Sequence, residues 1–276
     1  MKNKITAAFI AILALAGLAA GQEYRRIVSL GPDATENLWL LGVGDRVVGV
    51  TVHDAPEKKQ GREIIGTLLE PNIERIVQLN PDLVVTHKEG NRAESVRKLE
   101  KLGKKVLVLD GYRTYEDVCG NFLQLGRVLN REKEAEKVVA AAKQRLAALG
   151  KKYRSGSRPK VFFCIGLRPL FTVGGDSYID EIIEAAGGEN IFGAMPMKYP
   201  NISREDLTRK DPDVIVLTAM GMDKDAGAAV RKRWASLKAV RSGRFFYVSD
   251  TLYCSPTPVS FVNAVEKLGE LFHTHP

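Results

Sequence analysis

Asn130-Arg-Glu-Lys-Glu-Ala-Glu-Lys-Val-Val-Ala-Ala-Ala-Lys-Gln-Arg-Leu-Ala-Ala-Leu-Gly-Lys-Lys-Tyr153 is the stretch on which the reading of the fold turns. Apolar residues recur at Ala135, Val138, Val139, Ala142, Leu146 and Leu149, in steps of three and four, with Lys, Arg, Glu and Gln on the other faces. That is the period of an amphipathic helix. Asn130 is the expected N-cap, Glu132 and Glu134 place negative charge in the first turn, and Gly150 with Lys151, Lys152 and Arg154 marks the expected far end. At ~1.5 Å per residue such a helix spans ~30 Å or more, the diameter of a small domain. The segments on its two sides are built alike.

Before the helix, Asn72-Ile-Glu-Arg-Ile76 leads to Asn80-Pro-Asp-Leu-Val-Val85; after it, Asn201-Ile-Ser-Arg-Glu-Asp-Leu207 leads to Asp211-Pro-Asp-Val-Ile-Val216. Glu74 precedes Pro81 by the same interval as Glu205 precedes Pro212. Each copy reads as a short helix capped by Asn72 or Ser203, a Pro-Asp turn and a buried strand, with the glutamate at the second helical position. Two carboxylates in equivalent places on two lobes suit a partner with two-fold symmetry. The plainer role of each is to complement the positive end of its own helix, worth ~0.3–1 kcal/mol.

Around these copies, strands are predicted at 26–30, 46–52, 82–86 and 106–110, then at 160–165, 213–218 and 244–248. Helices are predicted between them, two opened by capping boxes, Asp33-Ala-Thr-Glu36 and Ser177-Tyr-Ile-Asp180. Gly42-Val-Gly44 lacks the third glycine of a dinucleotide loop and reads as a helix stop. Strands alternating with helices give an α/β fold with mainly parallel sheets. The expected architecture is two similar lobes joined by one long backbone helix, with a ligand cleft between them. The divisions are an export segment at 1–21, an N-terminal lobe at 22–129, the linking helix at 130–154, and a C-terminal lobe at 155–276 that begins with Ser155-Gly-Ser157.

The first residues read as a secretory signal: Lys2 and Lys4, an apolar run from Ile5 to Leu18, then the small residues Ala19-Ala20-Gly21. The run is short for a spanning helix, which needs ~20 residues. No Cys directly follows the run to take a lipid, so the mature chain is expected to be soluble and exported, without stable membrane insertion. The 276 residues are 45% hydrophobic and 27% charged, a globular composition. Two of the formal net +8 belong to Lys2 and Lys4, and the other basic residues lack the clustering with aromatics of a nucleic-acid groove. The three cysteines, Cys119, Cys164 and Cys254, form no C-x-x-C pair, and an odd count leaves at least one outside any internal disulfide. Buried, inert thiols are expected, with one disulfide open but unassigned.

Signatures of catalysis are scarce. There is no phosphate-binding Gly-x-x-x-x-Gly-Lys-Ser/Thr and no Gly-x-Ser-x-Gly. His53 and His87, with Asp54 or Glu89, match no zinc spacing, and His273 and His275 fall in a tail expected to fray. An exported metal-dependent enzyme built on His53 and His87 is the rival class; no catalytic residue and no resident metal are expected.

Several segments together carry a family resemblance: Arg26-Ile-Val-Ser-Leu-Gly-Pro-Asp-Ala-Thr-Glu36, Glu74-Arg-Ile-Val-Gln-Leu-Asn-Pro-Asp-Leu-Val-Val85, Gly187-Gly-Glu-Asn-Ile-Phe192 and Tyr199-Pro-Asn-Ile-Ser-Arg-Glu205. The chain resembles the periplasmic substrate-binding proteins of ABC importers whose lobes are joined by one helix, a family serving vitamin B12, ferric siderophores and haem. Gly90-Asn91 and Pro169-Leu-Phe-Thr172 are most similar to loops of the vitamin B12 branch. The resemblance implies a monomer that captures a small metal-containing ligand, a corrinoid first and a siderophore or haem as the alternative. The ligand would carry its own metal, and no cofactor is implied. It also implies that Glu74 and Glu205 dock onto the permease dimer of the importer.

By position at strand ends, the ligand-binding candidates are His53, Leu68, His87, Phe171, Tyr199, Asp250 and Tyr253. Leu68 and Tyr199 stand where the B12 branch has Trp, Cys254 where it has Arg, and Ala186 where it has one half of a disulfide. A less aromatic pocket keeps haem and siderophore open: Tyr199, Tyr253, Met195, Met197 and His53 offer axial ligands for haem, and Arg168 and Arg92 offer charge for a siderophore.

Overall fold

The computed structural model describes residues 23–89, 93–154, 158–218 and 224–273, without the side chains of 224–228, 250 and 251. The export segment at 1–21, Gly90-Asn91, Arg92, the linker Ser155-Gly-Ser157 and His275 lie outside the described residues.

The N-terminal lobe runs β1 (Ile27–Ser29), α1 (Pro32–Leu40), β2 (Val47–Val50), α2 (Pro56–Lys59), β3 (Glu63–Ile64), α3 (Ile73–Gln78), β4 (Leu83–His87), α4 (Ala93–Lys101), β5 (Val106–Leu109) and α5 (Tyr115–Val128). Its strands are all parallel, in the order β3-β2-β1-β4-β5. Then comes α6 (Glu132–Tyr153), the long helix. The C-terminal lobe runs β6 (Lys160–Leu167), β7 (Leu170–Thr172), α7 (Tyr178–Ala185), β8 (Glu189–Asn190), α8 (Arg204–Lys210), β9 (Val214–Thr218), α9 (Lys224–Arg233), α10 (Lys238–Arg241), β10 (Phe245–Val248), α11 (Asp250–Cys254) and α12 (Pro258–His273). Its sheet is ordered β10-β9-β6-β7, with β8 also on β6, and only β7 is antiparallel.

Strands covered on both faces explain their unbroken apolar runs. Ile27, Leu83 and Val85 face a large core that α5, α6 and α12 share, whereas Val28 and Val84 face a smaller core on the other side of the sheet. In the second lobe Val161, Phe163, Val214 and Val216 join the same large core, and Phe162, Ile215 and Leu217 face a third. One apolar body therefore passes from lobe to lobe beneath the long helix.

The internal repeat persists in three dimensions. Asn72 and Ser203 cap α3 and α8, accepting from the N–H groups of Arg75 (3.0 Å) and Asp206 (2.9 Å). The residues before the two prolines, Asn80 and Asp211, both take left-handed backbone (φ 43° and 38°), a conformation Asn and Asp tolerate best among side-chain-bearing residues. Asp82 then accepts from the N–H of Arg25 (2.7 Å) at the entry to β1, and Asp213 from that of Lys160 (2.9 Å) at the entry to β6. Each Pro-Asp turn thus locks a helix exit to the start of the lobe's first strand. Glu74 and Glu205 are exposed at the second position of α3 and α8.

Several expectations change. Asn130 is not the cap of the long helix. It is left-handed (φ 56°) and turns the chain out of α5, and Arg131 precedes α6 without a side-chain cap. Gly150 lies inside α6, whose last helical residue is Tyr153. The Asp33 capping box does not form: Pro32 occupies the first helical position, Gly31 is the N-cap, and Asp33 is carried inward. Ser177 caps α7 by accepting from the Ile179 N–H (3.2 Å), while Asp180 turns away to Asn190. No disulfide forms among the described residues; Cys119 and Cys164 are buried and Cys254 is exposed. His273 is not frayed: it ends α12, stacks on Tyr153 (5.3 Å between centroids, 6° between planes) and reaches the Ala186 carbonyl (3.2 Å).

Candidate functional site

The carboxyl ends of the N-lobe strands converge on a cleft that the C-terminal lobe closes from the other side. Pro32 and Asp33 follow β1, His53 follows β2, Leu68 follows β3, His87 ends β4 with Glu89 beyond it, and Tyr112 follows β5. From the other lobe come Tyr178 at the start of α7, Tyr199 before α8, and Cys254, Ser255 and Pro256 at the end of α11. The cleft encloses about 340 Å³, within the usual range for small-molecule sites, roughly 300–1,000 Å³. β1 lies between β2 and β4, so the direction of winding reverses between β1 and β4. Loops leave that point in opposite directions and open a crevice, where open parallel sheets bind ligands.

Asp33 and His87 flank this switch point. Both are buried, at 6% and 5% exposure, and the His87 Nε2 is paired with Asp33 Oδ2. The Tyr112 hydroxyl donates to the same oxygen at 2.9 Å, and its ring meets His87 edge-on with centroids 5.2 Å apart. Burial pulls the His87 pKa down from 6.5 to about 4. The ring is therefore neutral at pH 7, with its proton on Nε2 to donate to the carboxylate. Burial also raises the pKa of Tyr112, which stays a phenol and a donor. Tyr178 stacks edge-on against Tyr112 across the lobe boundary (6.3 Å), and its hydroxyl donates to the Tyr253 carbonyl.

The rim is tied across the lobes. Glu89 pairs with Lys198, and nearby Arg113 pairs with Asp176 at 2.8 Å. Behind them the Tyr115 N–H donates to Glu181 (2.6 Å). These contacts and the shared core set the two walls of the cleft at one spacing.

Of the candidates named from sequence, His53, Leu68, His87 and Tyr199 line the cleft. Tyr199 is 40% exposed there, an accessible aromatic face. Phe171 is outside the lining: it is half-buried on β7, bridging to Asn201. Tyr253 is a core residue at 0% exposure, turned by α11 onto Phe163 (5.4 Å). Asp250 opens α11, and its side chain is outside the described part. Met195 packs against the third core, Met197 is exposed away from the lining, and Arg168 is exposed beyond the end of β6.

Sequence reasoning missed Asp33, Tyr112 and Tyr178 as cleft residues. Asp33 read as a helix cap, although it follows β1 as His53 follows β2, and that strand-end position was the signal that could have found it. Tyr112 and Tyr178 had no signal of their own, because their place depends on how the lobes face each other. Among the described residues, no group of three or more His, Cys, Asp or Glu is placed to hold a metal ion, and no helix is long and apolar enough to cross a membrane.

Residues 27–252 match the model of a family described as periplasmic binding protein. A vitamin B12-binding protein of Vibrio parahaemolyticus is 28% identical over 256 residues, 92% of each chain. Among solved structures, the periplasmic vitamin B12-binding protein of Vibrio cholerae superposes with a TM-score of 0.77 at 27% identity, covering 91% of this chain and 98% of that one. The periplasmic haem-binding protein of Roseiflexus sp. RS-1, in its apo form, gives 0.83 at 25% identity, covering 92% and 99%.

Proposed function

This chain belongs to the periplasmic binding protein family, and from that premise we propose that it captures a corrinoid of the vitamin B12 type and delivers it to an inner-membrane ABC importer. The observation that supports this most directly is the cleft at the switch point, framed by Tyr178, Tyr199, Leu68 and His53 and held open between two tied lobes. Such walls suit the faces and edges of a broad, rigid, metal-bearing ring. The ligand brings its own metal. The protein binds without catalysis, works as a monomer in the periplasm, and is exported with residues 1–21 as its signal. Glu74 and Glu205, exposed at matching places on the two lobes, are the contacts for the importer's permease dimer.

A haem reading has one observation in its favour. His53 and Tyr199 come from opposite lobes to line the same cleft and could meet an iron from its two faces. Titration of the purified mature chain decides between the ligands. Quenching of Tyr and Trp fluorescence by cyanocobalamin at micromolar or lower concentration is expected. Saturable binding of haem with a Soret shift lost in Tyr199→Phe would favour the second reading. A chain that binds neither of these nor a ferric siderophore would overturn the ligand class.

A further inference from the structure

His53 stands in the cleft on a loop that is fastened on both sides of it. Asp54 is buried and accepts through Oδ2 from the Thr51 N–H (2.7 Å) and the Thr51 hydroxyl (2.6 Å). The Val52 N–H donates to the Gly66 carbonyl (3.0 Å), and Lys59 Nζ donates to the Val52 carbonyl (3.1 Å). The backbone at 51–54 is held in this way, while the His53 side chain is left exposed in the cleft lining. Among the described residues His53 has no hydrogen bond, ion pair or ring contact. The other histidine of the cleft is engaged: His87 is buried, with Nε2 paired to Asp33. An imidazole that is fixed at its backbone and open to the cleft keeps a ring nitrogen lone pair for an incoming ligand.

Tyr199 and Cys254 line the opposite wall. A phenol and a thiol ligate a metal as anions and must first lose a proton, whereas imidazole ligates as the neutral base. We propose that His53 ligates the cobalt of the captured corrinoid on the ring face turned toward the N-terminal lobe. The cleft then selects corrinoids whose cobalt carries an exchangeable axial water over those whose cobalt holds cyanide or an alkyl group. The proposal rests on the corrinoid reading and deepens it. The step is a ligand exchange: the bond from cobalt to water breaks, a bond from cobalt to the imidazole nitrogen forms with that nitrogen's lone pair, and water leaves. Cobalt stays Co(III), and no proton or electron is transferred. Only the exchangeable form gains this bond, so His53 reads the state of the metal where the rest of the lining reads the shape of the ring.

Aquocobalamin and cyanocobalamin test this, because they share the ring and its side chains and differ in the upper axial group. Each is titrated into the full mature chain at pH 7, in a buffer that does not ligate metals, and followed by protein fluorescence and visible absorption. Aquocobalamin is expected to bind at least about tenfold tighter. Its visible bands should shift on binding to those of an imidazole complex, while the bands of cyanocobalamin stay in place. The aquo form also carries one more positive charge, so the affinity ratio is compared in His53→Ala and His53→Gln, which leave that difference in place. In both variants the ratio should fall several-fold and the band shift should disappear, with the thermal transition as the check on folding. A wild-type ratio near one, a missing band shift, or a shift that survives in the variants would overturn the proposal and leave the corrinoid reading intact. Failure of the wild-type chain to bind either cobalamin would overturn the corrinoid reading, and this proposal with it.

Discussion

His87 spends its neutral state donating to Asp33 in a nearly dry site, and that has a consequence for stability. Its folded pKa is near 4 and its ordinary value is 6.5, so the unfolded chain takes up the proton first as pH falls. Stability from this residue is fully present above about pH 6.5 and is lost as the pH drops toward 4. Between pH 7 and pH 5 the loss should be on the order of 1–2 kcal/mol, read as a lower urea midpoint. His87→Gln, which keeps a donor but cannot titrate, should show a shallower fall; an unchanged slope would count against the neutral imidazole. At the same site, Tyr112→Phe removes the 2.9 Å donor from a buried carboxylate and should cost about 1–3 kcal/mol in the same assay.

At the scale of elements, two glycines seat the long helix. Gly126 of α5 lies against α6, where an added Cβ would come 2.6 Å from the Ala135 Cβ and 3.2 Å from the Arg131 carbonyl oxygen. Gly269 of α12 lies under the Tyr153 ring, which an added Cβ would penetrate. One lobe's helix and the other's thus approach α6 more closely than any side chain allows. Gly126→Ala, blocked partly by backbone, should destabilise by about 1–3 kcal/mol despite its better helix propensity. Gly150→Ala is the contrast. Gly150 is within α6 and an added Cβ there meets nothing within 4 Å, so the change should stabilise by about 0.5–1 kcal/mol. Thermal denaturation of the two variants should move in opposite directions.

For the whole molecule, the shared core, the single helix and the ties of Arg113 to Asp176 and Glu89 to Lys198 favour stiffness. A hinge of several crossing strands could close widely, but one packed helix permits only a small rocking of the lobes. Small-angle scattering of free and ligand-saturated protein should differ by no more than a few degrees of lobe rotation; a closure of tens of degrees would refute this. A fixed lobe spacing also fixes the spacing of Glu74 and Glu205, whether or not the cleft is full. Replacing both by Ala should leave ligand affinity unchanged and abolish uptake through the importer.

Local periodicity and chemistry were enough for the architecture. The three-and-four spacing from Ala135 to Leu149 set out the long helix, and the paired Pro-Asp turns set out two lobes of one pattern, because helix period, capping and turn preference act over a few neighbouring residues. The strand-end rule likewise placed His53, Leu68, His87 and Tyr199 at the cleft. Which side chains turn into that cleft was decided elsewhere. Asp33 left its expected capping role because Pro32 took the first helical turn, and Tyr253 entered the core because α11 directs it onto Phe163. Tyr112 and Tyr178 became neighbours only because α6, Gly126 and Gly269 fix how the lobes face each other. Orientation across a lobe boundary depends on packing between residues far apart in the chain, and no local pattern encodes it.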